Sequence, residues 1–121
     1  MKEGLVLVAH GSRDPEWSRP FERIAASLAQ KLPAASVGLA YLEHGPSLEE
    51  VVTALVAKGV GSIRVVPVFL GQGGHVKDDL PRLVNQLRRP GLIVSLEKSI
   101  GEQPVVIEAI ASAISAVRKD A

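Results

Sequence analysis

Residues 5–17 read LVLVAHGSRDPEW. Five apolar residues, Leu5 to Ala9, stop at His10. Gly11, Ser12, Arg13 and Asp14 follow before Pro15 opens a new pattern. A short apolar run bounded by turn residues, with no polar alternation, reads as a strand covered on both faces. Beyond Pro15 the period changes. Trp17, Phe21, Ile24, Leu28 and Leu32 recur at steps of three and four, with Ala25 and Ala29 on the same side. That is one apolar stripe of a helix, and Pro33 closes it. A buried strand, a polar turn and an amphipathic helix make the first unit of an α/β chain.

The alternation continues outward. Further strands are predicted over 37–42, 63–70 and 92–96, all rich in Val, Ile and Leu. Ser47 and Glu50 have capping-box spacing, and Leu48, Val51, Val52, Leu55 and Val56 form the stripe that follows, ended at Gly59. A third helix is predicted to start near Asp79-Leu80-Pro81, with proline in its first turn and Leu80, Leu83, Val84 and Leu87 facing inward. Pro90-Gly91 stops it. A fourth spans 104–117. Short connections and right-handed crossovers leave one favoured solution. It is a single domain over 1–121, with a four-stranded parallel sheet in order 2-1-3-4 and helices on both faces, the flavodoxin-like winding.

The last helix is apolar around most of its circumference. Glu108, Ser112 and Ser115 form one narrow polar stripe. The sheet can cover one side of such a helix, and a second subunit is the expected cover for the other. An Ala-rich surface helix is the plainer alternative.

Bulk composition excludes several occupations. Aromatics are only 3%, so stacking platforms for nucleic-acid bases are not expected. The net charge of +1 is spread among acids, leaving no polyanion-binding stripe. The absence of cysteine removes disulfides, thiolate metal sites, iron–sulfur clusters and a Cys nucleophile. No apolar run reaches the length of a membrane span, and no signal-peptide pattern is seen. A cytoplasmic location, with neither nucleic acid nor membrane as partner, fits these features.

In open parallel sheets, ligands bind beyond the carboxyl ends of the strands, where the strand order reverses. For order 2-1-3-4 that point lies between strands 1 and 3. His10 ends strand 1, His75 follows strand 3 through Gly71-Gln72-Gly73-Gly74, and Glu43-His44 follows strand 2. A lone His10 reads equally well as a cap on a loop carbonyl. Two histidines at the switch point favour function, because neutral imidazole both ligates metals and acts as a base near neutral pH. His10, His75 and Glu43 form a candidate set for a divalent first-row metal, with open positions suited to exchange. His44 has a weaker claim, since His44-Gly45-Pro46 is also an ordinary turn. Gly71, Gly73 and Gly74 can cradle a carboxylate or phosphate, with Ser12 and Arg13 opposite; glycines placed only by turn geometry are the alternative. Asp78 and Asp79 read as helix caps. A histidine phosphatase would need arginine where Ala9 stands, and the G-x-S-x-G elbow of an α/β-hydrolase is absent.

LVLVAHGSRDP, YLEHGPSLEEVV and PVFLGQGGHVKDDLP together resemble the CbiX-type sirohydrochlorin chelatases, class II enzymes that insert cobalt, nickel or ferrous iron into a tetrapyrrole. The resemblance covers essentially the whole chain. It implies that His10 and His75 are metal-site and catalytic residues, that Glu43 assists as ligand or base, and that Ser12, Arg13 and the Gly71, Gly73 and Gly74 backbone grip the peripheral carboxylates. It also implies no organic cofactor, a divalent metal (Co²⁺, Ni²⁺ or Fe²⁺) as substrate, and a homodimer of short units where longer relatives carry two such units facing one another. A metal or tetrapyrrole carrier, an anion- or nucleotide-binding flavodoxin-like domain, and a structural subunit stand as alternatives.

Overall fold

The computed structural model describes residues 2–71 and 73–118, with the side chains of residues 74, 75, 117 and 118 outside that description. The elements run β1 (Lys2–Ala9), α1 (Pro15–Lys31), β2 (Ser36–Tyr41), α2 (Leu48–Ala57), β3 (Val60–Pro67), α3 (Gly74–Leu87), β4 (Ile93–Leu96), a 3₁₀ turn (Ile100–Glu102) and α4 (Pro104–Arg118). The four strands are parallel and lie in the expected order β2-β1-β3-β4. In the register, Val8 stands beside Ala40 on one side and Pro67 on the other, so β1, β2 and β3 end at a common rim.

Side chains of β1 alternate between two unequal cores. Val6 and Val8 join Val52, Ile63, Val65, Leu80 and Val84 beneath α2 and α3, all at most 1% exposed. Leu5 and Leu7 point the other way, to Val66 and to Ala25 and Leu28 of α1. The first core carries most of the hydrophobic stabilisation, at about 1.5–3 kcal/mol per fully buried aliphatic side chain. Leu80→Ala is therefore expected to cost about 2–5 kcal/mol, seen as a lower denaturant midpoint at unchanged slope.

Local signals account for most boundaries. Asp14 caps α1 by accepting the Glu16 N–H at 3.0 Å. Ser47 and Glu50 form the full capping box, and Gly59 turns the chain at φ +94° after α2.

Three expectations need correction. β3 ends at Pro67 rather than at residue 70. Proline brings no N–H to the ladder. The Val68 N–H still reaches the Val8 carbonyl at 2.8 Å, but Phe69 and Leu70 then leave the sheet for the rim. The third helix begins at Gly74, five residues before Asp79, so Pro81 lies in its interior. The first turn has a single apolar residue, Val76, and periodicity finds the helix only from Leu80 onward. Asp78 and Asp79 consequently cap nothing; Asp79 pairs with Arg82 at 3.4 Å on the helix surface.

The third correction concerns α4. The sheet does not cover it. Val105, Ile107, Ile110 and Ile114 are exposed, and Val106 alone is half-buried among residues whose burial is described. The sheet face that α1 leaves uncovered is an apolar depression of about 460 Å³, lined by Leu5, Leu7, Leu28, Val66, Val68 and Ile100 among others. No helix among the described residues is long and apolar enough to cross a membrane.

Candidate functional site

The site is built where β1, β2 and β3 end. β1 is buried from Gly4 to Ala9, and the next residue, His10, is exposed. Its imidazole lies against Phe69, with ring centroids 4.4 Å apart and planes 35° apart. Gly11 turns the chain at φ +98°, a conformation that L side chains rarely adopt. Ser12 Oγ accepts the Asp14 N–H at 3.2 Å, which fixes the turn into α1.

His10 stands in the wall of a depression of about 420 Å³ with Trp17, Phe21, Phe69, Leu70 and Gly71. Trp17 and Phe21 face each other at 4.7 Å, and Trp17 lies 6.4 Å from Tyr41. The chain has four aromatic residues, one Trp, one Tyr and two Phe, and all four gather at this rim. In the sequence their scarcity argues only against base-stacking platforms, and Trp17 and Phe21 read as part of the apolar stripe of α1. The signal was present: Trp17 and Phe21 lie in the first two turns after β1, Tyr41 at the end of β2, and Phe69 just past β3.

The β2–α2 loop is tied to the β1–α1 loop. The Leu42 N–H donates to the Ala9 carbonyl at 3.0 Å, and the Glu43 N–H to the His10 carbonyl at 2.8 Å. Glu43 itself is exposed beside the site and outside the depression wall. His44 has both ring nitrogens engaged. Nε2 accepts the Ser12 N–H at 3.1 Å, and Nδ1 donates to the Gly45 carbonyl at 2.8 Å. These partners assign the neutral Nδ1–H tautomer, and a ring so engaged has no lone pair left for a metal.

Across the rim, Gly71 leads towards α3, whose N-cap is Gly73, with no side-chain cap bond. Neither glycine has positive φ, and a Cβ built on either meets nothing within 4 Å. Turn geometry and packing therefore do not require glycine at Gly71 or Gly73. Both leave the backbone open to close approach by a ligand beside a helix N-terminus. Gly74 and His75 are the first residues of α3, which places their backbone after β3 at the same end of the sheet as His10; their side chains lie outside the description. Among the described residues no group of three His, Asp or Glu could hold a metal ion. Arg13 is exposed on the loop that leads into α1.

A family model described as CbiX matches residues 4–117. A sirohydrochlorin cobaltochelatase from Saccharolobus islandicus is 39% identical over 82 residues, 67% of this chain and 62% of that protein. Another from Methanosarcina acetivorans is 34% identical over 85 residues, 69% of this chain and 65% of that one. The matched region thus spans a little less than two thirds of these curated relatives. In three dimensions, a CbiX protein from Marinobacter aquaeolei VT8 superposes with a TM-score of 0.87 at 30% identity, covering 98% of this chain and 99% of that one. The sirohydrochlorin chelatase SirB from Bacillus subtilis subspecies spizizenii, in complex with cobalt, superposes with a TM-score of 0.70 at 29% identity, covering 97% of this chain and 51% of that one. A family model matched along nearly the whole chain, together with a fold that agrees end to end with a CbiX structure, shows that this chain belongs to the CbiX family.

Proposed function

We propose that this chain inserts a divalent metal, Co²⁺ foremost with Ni²⁺ and Fe²⁺ as alternatives, into sirohydrochlorin or a related tetrapyrrole. The observation that carries the reading is the exposed imidazole of His10 at the mouth of an aromatic-walled depression. A flat apolar macrocycle with charged edges needs such a wall for its plane and donors for its rim. Trp17, Phe21 and Phe69 supply the wall. Arg13, Ser12 and the backbone of Gly71, Gly73 and Gly74, open at the first two glycines, supply donors for the peripheral carboxylates, with the Arg13 fork suited to a carboxylate.

Insertion removes two pyrrole protons as the metal enters. His10 and His75 hold the incoming ion through their imidazole lone pairs, which the ion vacates as it passes to the pyrrole nitrogens and which then accept those two protons, and Glu43 assists as ligand or base. Holding the ring against the wall in which His10 stands, with the ion already on the protein, converts an encounter of two solutes into a step within one complex. The metal is a substrate, and no organic cofactor is part of the proposal.

The unit acts as a homodimer in a cytoplasmic setting. Two apolar surfaces of one chain support the dimer: the exposed face of α4 and the uncovered sheet face over Leu7 and Val66. A second copy, lending its α4 to that face and receiving one in return, covers both.

Trp17 is the sole tryptophan, so metal-free sirohydrochlorin is expected to quench the protein's emission on binding. Trp17→Ala is expected to raise the KM for the tetrapyrrole by about tenfold, near the upper range for one aromatic contact. Unchanged emission at saturating tetrapyrrole would place the macrocycle elsewhere.

A further inference from the structure

We propose that His44 is a positioning residue, a two-ended clip that sets the His10 loop, and not a ligand of the site. The inference rests on the reading of His10 as the residue that faces the metal. Sequence alone leaves His44 as a weak candidate for ligation, and the geometry gives it a different task.

The segment 9–12 is bound to the segment 42–44 at three points. Two are backbone bonds, Leu42 N–H to the Ala9 carbonyl and Glu43 N–H to the His10 carbonyl. They hold the chain up to His10. The third is the bond from Ser12 N–H to His44 Nε2, and it holds the chain beyond His10. Without it the loop after Gly11 keeps its own Ser12–Asp14 turn and the Asp14 cap on α1, both on the far side of Ser12 from His10. The clip is itself held. Its Nδ1–H is spent on the Gly45 carbonyl, which leaves Nε2 as the acceptor facing Ser12. Its ring lies 4.5 Å from that of Tyr41, a buried residue at the end of β2.

Gly11 fits the same arrangement. A Cβ there would stand 2.8 Å from His44 Cδ2 and 2.9 Å from Nε2, so the ring occupies the space a side chain would need. His44 is exposed, and exposed hydrogen bonds add little to global stability. Its contribution is to fix the backbone on which His10 rides, as groups behind a reacting side chain commonly do.

Three variants separate the possibilities. In His44→Gln the amide oxygen can take the place of Nε2 and accept the Ser12 N–H. In His44→Asn the amide reaches only the Nδ1 position, and His44→Phe keeps only the ring stacking. With Co²⁺ and sirohydrochlorin, His44→Asn and His44→Phe are expected to lower kcat by about 10- to 100-fold. The KM for the tetrapyrrole and the thermal midpoint should stay near wild type, and His44→Gln should recover most of the loss. Equal activity in all three variants and wild type would overturn the proposal. So would a His44→Gln enzyme as impaired as His44→Asn, which would return the imidazole itself to the chemistry.

A second measurement needs neither metal nor tetrapyrrole. The Ser12 amide should exchange with solvent faster in His44→Phe than in wild type or His44→Gln. The ¹⁵N shifts of His44 should report a protonated Nδ1 and an accepting Nε2. Unchanged Ser12 exchange in His44→Phe would overturn the clip. If the wild-type protein inserts no metal, the functional reading fails, while amide exchange still decides the role of His44.

Discussion

His10→Ala is expected to lower the rate of metal insertion by about 100-fold or more, the lower end of what a positioned proton acceptor contributes. The fold gives this residue no other task. β1 is buried through Ala9, and the imidazole beyond it touches Phe69 at the mouth of the depression. The side chain contributes little to the two cores, so the variant should fold with a nearly unchanged midpoint. The loss should therefore appear in kcat rather than in soluble yield. His75→Ala is expected to match it, because the two histidines are proposed to serve one ion from opposite sides of the β1–β3 crevice. Steady-state absorbance changes on mixing sirohydrochlorin with Co²⁺ measure both. Full activity in both variants would remove the assigned site.

The second large effect concerns association. Replacing Ile107 and Ile114 together by aspartate is expected to leave a monomer by light scattering, where the proposed wild-type assembly is a dimer. Both isoleucines are more than half exposed in the single chain, so the substitutions disturb no core of their own. In the dimer they would lie against Leu7, Val66 and their neighbours. An unpaired charge buried there costs at least about 3 kcal/mol, which is more than a hundredfold in dissociation constant. Insertion activity should fall with the dimer if the second copy helps to enclose the tetrapyrrole. A variant that stays dimeric would place the interface elsewhere. A wild-type monomer with α4 protected from exchange would mean that the helix folds back on its own sheet.

Much of the fold is legible in the residues. The four apolar runs, the capping box at Ser47 and the stripe after Pro15 lead to the observed sheet order, because right-handed crossovers and buried parallel strands leave few alternatives. Errors arise where one pattern serves two purposes. VPVFL is apolar throughout, yet its first half is strand and its second half lines the rim, and only the missing N–H of Pro67 marks the change. GHVKDD is helical with few apolar residues, so periodicity passes over the first turn of α3. The all-round apolar α4 raises the expectation of a partner, but its separation from its own sheet depends on tertiary packing that no local pattern records.

The site is legible to a similar degree. His10 is placed by the end of β1, and Gly71 and Gly73 lie where a strand gives way to a helix. The aromatic wall is not legible from composition, because scarcity hides clustering: four residues spread over 53 positions, 17 to 69, converge only once the sheet is assembled. The role of His44 depends on hydrogen-bond partners, which spacing cannot supply.

The most direct test of the central claim is a turnover count. Purified protein is mixed with sirohydrochlorin and Co²⁺, both in large excess, and metallated product is followed by absorbance against a protein-free control. The proposed activity requires initial rates above the control in proportion to protein, with many equivalents of product per chain. An insertion rate equal to the control, or product that stops at one equivalent and stays bound, would contradict it, the second outcome describing a carrier rather than a chelatase.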